Sequence, residues 1–133
     1  MFPMALTAAD LVARARRSIR EAKPADLLGR LSKAVLIDVR EPAEYATGHL
    51  PGAVNIPRGM LEFEISSNPH VGGVTDPALA DRGRPIVLYC LGGGRAALSA
   101  VALQELGYTG VESIEGGVRA CVEAGFALTA HDT

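Results

Sequence analysis

Apolar and polar positions along the chain fall into short blocks that alternate between a helical and a strand period. Leu11, Val12 and Ala15 recur at helical spacing behind Thr7-Ala8-Ala9-Asp10. Thr7 can cap this helix, and Asp10 places an acid in its first turn. Arg14, Arg16, Arg17 and Arg20 follow. They read as a solvated face, the alternative being a docking patch for an acidic partner. Ser18 to Glu21 either ends the helix or forms a short strand, which periodicity does not decide. Pro24 suits the first turn of a second helix, Pro24 to Leu31.

Val35-Leu36-Ile37 reads as a buried strand ending at Asp38. Pro42 to Thr47 is a short helix stopped near Gly48, and Leu50-Pro51-Gly52 is a turn. Ala53 to Ile56 is a second short strand, and Arg58 to Ile65 a helical turn or two. Ser66 to Arg84 is the loosest stretch, a long connection that could flank a site. Ile86-Val87-Leu88-Tyr89 is a continuous β-rich run leading directly into Cys90. Arg95 to Leu106 is predicted as a helix closed by Gly107, Val111 to Ile114 as a strand, and Gly117 to Ala124 as a last helix closed by Gly125. Strands alternating with helices predict an α/β architecture with a mostly parallel sheet. Ligands of such sheets bind beyond the carboxyl ends of the strands, where Asp38 and Cys90 both fall.

Composition narrows the function classes. The 133 residues make one ordinary domain, with 48% hydrophobic and 21% charged residues and a net charge of −2. That balance offers no basic excess for nucleic acid or an anionic membrane. No apolar run is long enough for a bilayer span, and no signal-peptide pattern opens the chain. Two cysteines, Cys90 and Cys121, are too few for a disulfide scaffold, so a reducing cytoplasm is expected. His49, His70 and His131 are scattered, read as surface or turn residues, and predict no metal site.

The informative run is Cys90-Leu91-Gly92-Gly93-Gly94-Arg95-Ala96, between a strand and a helix start. Three glycines permit a tight curl with positive φ, which turns backbone N–H groups inward as an anion-binding nest. The helix dipole and Arg95 add positive potential. Such surroundings favour a nucleophilic thiolate, and would equally cradle the outer sulfur of a persulfide. A buried structural cysteine before a flexible turn is the plainer account, and the combination of glycines, arginine and helix start speaks against it. Four residues separate Cys90 from Arg95. Protein tyrosine phosphatases carry Cys-x5-Arg, and their arginine position holds Ala96 here. The shorter loop suits one sulfur atom better than a tetrahedral phosphate.

With those residues in hand, the chain resembles the rhodanese-like family. Leu36-Ile37-Asp38-Val39-Arg40-Glu41-Pro42 with Glu44-Tyr45 is similar to its Asp-Val-Arg-x-x-x-Glu signature. Gly48-His49-Leu50-Pro51-Gly52-Ala53 matches its Gly-His-[Ile/Leu]-Pro-Gly-Ala segment. Tyr89-Cys90-x-x-Gly93-x-Arg95-Ala96 resembles its active loop, and Ile114-Glu115-Gly116-Gly117 its closing double-glycine turn. The match runs over roughly residues 18 to 128, most of one domain of ordinary size. It implies a three-layer α/β fold, with a mostly parallel central sheet of about five short strands between helices. On this reading residues 1–17 are an N-terminal helical extension and 18–133 the rhodanese-like domain.

The resemblance also implies a two-step cycle without metal or organic cofactor. A small anionic donor such as thiosulfate would load sulfur onto Cys90, and the persulfide would pass it to cyanide, a thiol or a protein. Leu91, Gly92, Gly93, Gly94 and Arg95 would bind the donor, with Arg58 as a further cation; a solvated surface arginine is an equal account of Arg58. The family's first short strand would lie near Ile19. Asp38 and Arg40 are expected to support the structure, either by bracing the active loop or with Arg40 meeting Glu44 one turn on. His49 belongs to the turn and not to acid-base chemistry. Cys121 stands where the family usually carries a tryptophan, and reads as a small buried replacement in preference to a second redox thiol. Two other functions are weighed: a non-enzymatic interaction module, against which the intact Cys90 and Arg95 speak, and phosphate or arsenate chemistry, against which the loop length speaks.

Overall fold

The computed structural model describes residues 5–75 and 80–131. The apolar runs become five strands: β1 (Arg20–Ala22), β2 (Val35–Asp38), β3 (Val54–Asn55), β4 (Ile86–Tyr89) and β5 (Val111–Ile114). They form one sheet in the order β1-β5-β4-β2-β3, and every pairing is parallel. Parallel neighbours need crossovers, and among the described residues these run through α2 (Pro24–Leu27), α3 (Pro42–Thr47), α4 (Leu61–Glu64) and α5 (Gly94–Glu105), with α1 (Ala8–Arg16) ahead of β1 and α6 (Gly117–Glu123) after β5. Ser18 to Glu21, undecided in the sequence, turns at Ser18 and Ile19 and enters β1 at Arg20, on the sheet edge.

Alternation along the central strands sends side chains to both faces, so the sheet is covered twice. On one face Ile37, Ile86, Leu88 and Val111 pack with Leu61 of α4 and Ala96, Ala100 and Leu103 of α5. On the other, Leu36, Val87, Tyr89 and Ile114 pack with Leu27, Leu50, Val118 and Cys121. The small residues of α5 let its helix lie close to the sheet and leave its outer surface for α1, which packs along it. A reciprocal cap holds the start of α1: Thr7 Oγ1 accepts from Asp10 N at 3.1 Å, and Asp10 Oδ2 from Thr7 N at 2.9 Å. This cap holds the Asp10 carboxyl below its ordinary pKa.

Two elements are shorter than the pattern predicts. The helix beginning at Pro24 ends at Leu27 in place of Leu31, because Gly29 enters the left-handed region at φ 79° and a 3₁₀ turn, Leu31–Lys33, follows. β3 keeps only Val54 and Asn55 of its predicted four residues. The Ser66–Arg84 stretch holds a 3₁₀ turn at Pro69–Val71, and its described parts are tied to the body. Arg84 donates to the carbonyls of Val71 at 3.0 Å and Ile65 at 2.8 Å, and Arg82 and Arg84 lie over the Tyr108 ring. Residues 76–79 of this stretch lie outside the described residues.

Register sets the position of the site. Asp38 lies opposite Tyr89 on one side and Asn55 on the other. The carboxyl ends of β2, β3 and β4 therefore share one rim, and Cys90 is the first residue beyond it.

Candidate active site

Cys90 follows a strand whose four residues are all buried and precedes the twelve-residue α5. The chain must reverse within three residues, and Gly93 makes that possible by taking φ 114° as the N-cap of α5. Gly92 and Gly94 stay out of the positive-φ region, so one of the three glycines carries the turn. The reversal folds the amides back over the sulfur. Cys90 Sγ accepts from Gly93 N at 3.1 Å and, more weakly, from Ala96 N at 3.5 Å. The residue is 1% exposed, at a pocket of about 400 Å³.

A second glycine secures the loop from beneath. A Cβ on Gly117 would stand 2.4 Å from the Leu91 carbonyl oxygen and 2.6 Å from that of Cys90. Only a glycine lets α6 approach so closely. The approach brings Val118 N to Cys90 O at 2.8 Å and Arg119 N to Leu91 O at 3.2 Å. The first amides of α6 would otherwise lack partners, and they satisfy the carbonyls that the loop turns outward.

Arg95 is committed to a carboxylate. Its Nη1 donates to Glu44 Oε1 at 2.7 Å and its Nη2 to Oε2 at 3.0 Å. Glu44 also accepts from Glu41 N at 3.2 Å at the start of α3. The Arg95 hydrogen bonds lower the Glu44 carboxyl to about 2, and the same contact raises the Arg95 pKa. The pair straps the active loop to α3, between residues 51 positions apart.

The expected site residues divide accordingly. Leu91, Gly92, Gly94 and Arg95 line the pocket with Cys90, while Gly93 reaches the sulfur through its N–H. Arg58 is elsewhere. It donates to Glu62 Oε1 at 2.7 Å and lines a separate groove between α1 and α5. Asp38 and Arg40 form a buried pair behind the site. Arg40 donates from Nη2 to Asp38 Oδ2 at 2.8 Å and to the Gly48 carbonyl at 2.7 Å, and Asn55 Nδ2 donates to the carbonyls of both Asp38 and Arg40. Neither lines the Cys90 pocket. The expected pairing of Arg40 with Glu44 is corrected: Asp38 takes Arg40, and Glu44 reaches across to Arg95.

Sequence reasoning missed Glu44 and Arg119 as site residues. Glu44 belongs to the Asp-Val-Arg-x-x-x-Glu motif and was open to detection as a partner of Arg95. Arg119 lines the pocket only because Gly117 draws α6 under the loop, a contact without a local signature. His49, read as a surface or turn residue, lies just ahead of the Pro51-Gly52 turn and is buried there. It is 2% exposed, and its ring stacks on Tyr45 at 3.6 Å between ring centroids. Cys121 is fully buried among Leu27, Tyr89 and Val118, and burial pushes its thiol up to about 11. Among the described residues, no group of three or more His, Cys, Asp or Glu is placed to hold a metal, and no helix is long and apolar enough to cross a membrane.

Known proteins are similar to this chain in sequence and fold. The family model of the rhodanese-like domain matches residues 23–124. The human thiosulfate:glutathione sulfurtransferase is 34% identical over 68% of this chain and 81% of its own length. The tRNA uridine(34) hydroxylase of Erwinia tasmaniensis is 31% identical over 65% of this chain, a match spanning 23% of that protein. Among solved structures, a Rhodopseudomonas palustris protein called a possible tyrosine phosphatase superposes with TM-score 0.77 at 32% identity, covering 97% of this chain and all of its own. A family model covering most of the chain, on a five-stranded parallel sheet with a cysteine loop at its carboxyl rim, makes this protein a member of the rhodanese-like family.

Proposed function

We propose that the chain is a sulfurtransferase that carries sulfane sulfur as a persulfide on Cys90. The observation that supports this most directly is the position of Sγ, accepting the Gly93 and Ala96 amides at the head of α5. Such donors stabilise negative charge that develops on sulfur, and a persulfide would hold its charge within the same set. In the first step the Cys90 thiolate attacks the outer sulfur of thiosulfate. A sulfur–sulfur bond forms, the donor's sulfur–sulfur bond breaks, and sulfite leaves with the electron pair. In the second, cyanide, a thiol or a protein nucleophile attacks the outer persulfide sulfur, and the electrons of the breaking bond return to Cys90 as thiolate. Both steps conserve charge and need no redox partner.

Phosphate chemistry on the same loop has less behind it. A phosphatase arginine must turn its planar fork onto the phosphate oxygens, and here both terminal nitrogens of Arg95 face Glu44. Intact-mass measurement after thiosulfate, then after cyanide, tests the reading. Wild type is expected to gain one sulfur that cyanide removes, and Cys90→Ser none. A wild type that takes up no sulfur, or turnover of a generic phosphate ester that depends on Cys90, would overturn it.

A further inference from the structure

Two arginines line the Cys90 pocket, and they differ in what they are free to do. Arg95 is held by both oxygens of Glu44, so its charge is largely neutralised before any substrate arrives. Arg119 is exposed, and among the described residues its side chain has no hydrogen bond, ion pair or ring contact. Among the described residues, no acidic side chain lines this pocket. Arg16, the nearby cation of α1, is itself occupied by Glu21 at 2.9 Å.

The position of Arg119 is also one that local physics does not explain. It lies in the first turn of α6, a turn without an acidic residue, where the helix dipole disfavours a cation. An exposed arginine with no partner, set against the dipole, contributes nothing evident to the fold. The wall facing it is apolar, built from Ala8 and Val12 of α1 and Leu98 of α5. Among the described residues, an anion entering this pocket therefore finds one uncommitted positive charge, on the α6 side.

We propose that Arg119 is the donor-recognition residue. It seats the oxyanion group of a small sulfonyl-type sulfur donor, such as thiosulfate, and directs the donor's outer sulfur to Cys90. This rests on the sulfur-transfer reading. It assigns Arg95 to holding the loop and Arg119 to binding the substrate's charge.

The test separates this inference from that reading. Wild type, Arg119→Ala and Arg119→Lys are alkylated in their native state with anionic iodoacetate and with neutral iodoacetamide, and the rate is followed on the Cys90 peptide by mass spectrometry. This reads anion attraction without requiring sulfur transfer. Arg119→Ala is expected to lower the iodoacetate-to-iodoacetamide rate ratio about three- to tenfold, and Arg119→Lys to restore most of it. Its melting temperature should match or exceed that of wild type, since removing a cation from a helix start relieves the dipole. In thiosulfate turnover the same variant is expected to raise KM with kcat nearly unchanged. An alkylation ratio unchanged in Arg119→Ala, where wild type does accept sulfur, overturns the inference and leaves the function standing. A lowered ratio in a protein that never accepts sulfur keeps the anion site and removes the function.

Discussion

Glu44 holds Arg95 by two parallel hydrogen bonds of 2.7 and 3.0 Å, and this places the carboxylate of one family motif on the arginine of another. Both side chains are about a third exposed to water, at 39% and 33%, so the pair is worth a surface bridge of good geometry, up to about 1 kcal/mol. Its larger effect is positional, because it fixes the first turn of α5, whose amides surround Sγ. Glu44→Gln is expected to lower stability by at most about 1 kcal/mol and to cut sulfur-loading rates by more than that loss implies. Equal activity in Glu44→Gln and wild type would remove the strap from the account.

The same pair predicts an acid dependence. Arg95 lowers the Glu44 carboxyl from 4.5 to about 2 in the folded protein. A depressed carboxylate contributes stability that is fully present above its unfolded value and fades as pH falls through its folded value. Thermal melts between pH 6 and 2 should show wild type losing its advantage over Glu44→Gln below about 4.5, with the two curves meeting near the lower end. A gap that stays constant with pH would mean that the two side chains are not paired in solution.

How much of this was legible depended on the range of the interaction. Ile86 to Tyr89 is a continuous β-rich run, and it forms the central strand that delivers Cys90 to the rim. The Pro42 and Gly48 signals bounded α3 correctly because both act through their own backbone angles. Partner choice was not local. Arg40 and Glu44 sit at the spacing that suits a helical pair, yet Arg40 precedes α3. Its chain extends from the end of β2, where Asp38 meets it in a buried setting. Glu44 is then free to face α5, whose approach only the folded sheet order creates. The place of Arg119 beside the pocket depends likewise on α6 passing beneath the loop.

Cys121 gives a chemical prediction. The thiol is fully buried and its pKa is pushed up to about 11 by desolvation, so little thiolate is present near neutrality. Native protein treated with iodoacetamide at pH 7.5 should take one label, on Cys90, and take the second only after denaturation. Cys121→Ser should leave the products of mild oxidation unchanged while costing about 1–3 kcal/mol, because it places a hydroxyl among apolar neighbours. A Cys90–Cys121 disulfide in oxidised wild type, found by peptide mapping, would contradict this.

The glycines around the loop separate steric need from simple flexibility. Gly92 has open space where a Cβ would go, and its φ lies outside the positive region. Gly117 has φ 65°, and its Cβ would press on the backbone carbonyls of Leu91 and Cys90 at 2.4 and 2.6 Å. Backbone atoms cannot swing aside as a side chain can, so Gly117→Ala must push α6 off the loop. That would break the Val118 and Arg119 amide contacts along with the left-handed turn. Gly92→Ala is expected to fold with stability within about 0.5 kcal/mol of wild type. Gly117→Ala is expected to lose about 2–4 kcal/mol, from strain at positive φ and from the lost contacts. Denaturant melts measure both, and sulfur loading of the two variants shows whether the α6 support matters to the chemistry. If Gly117→Ala were as stable and as active as Gly92→Ala, the double-glycine turn would have no role in holding the Cys90 loop.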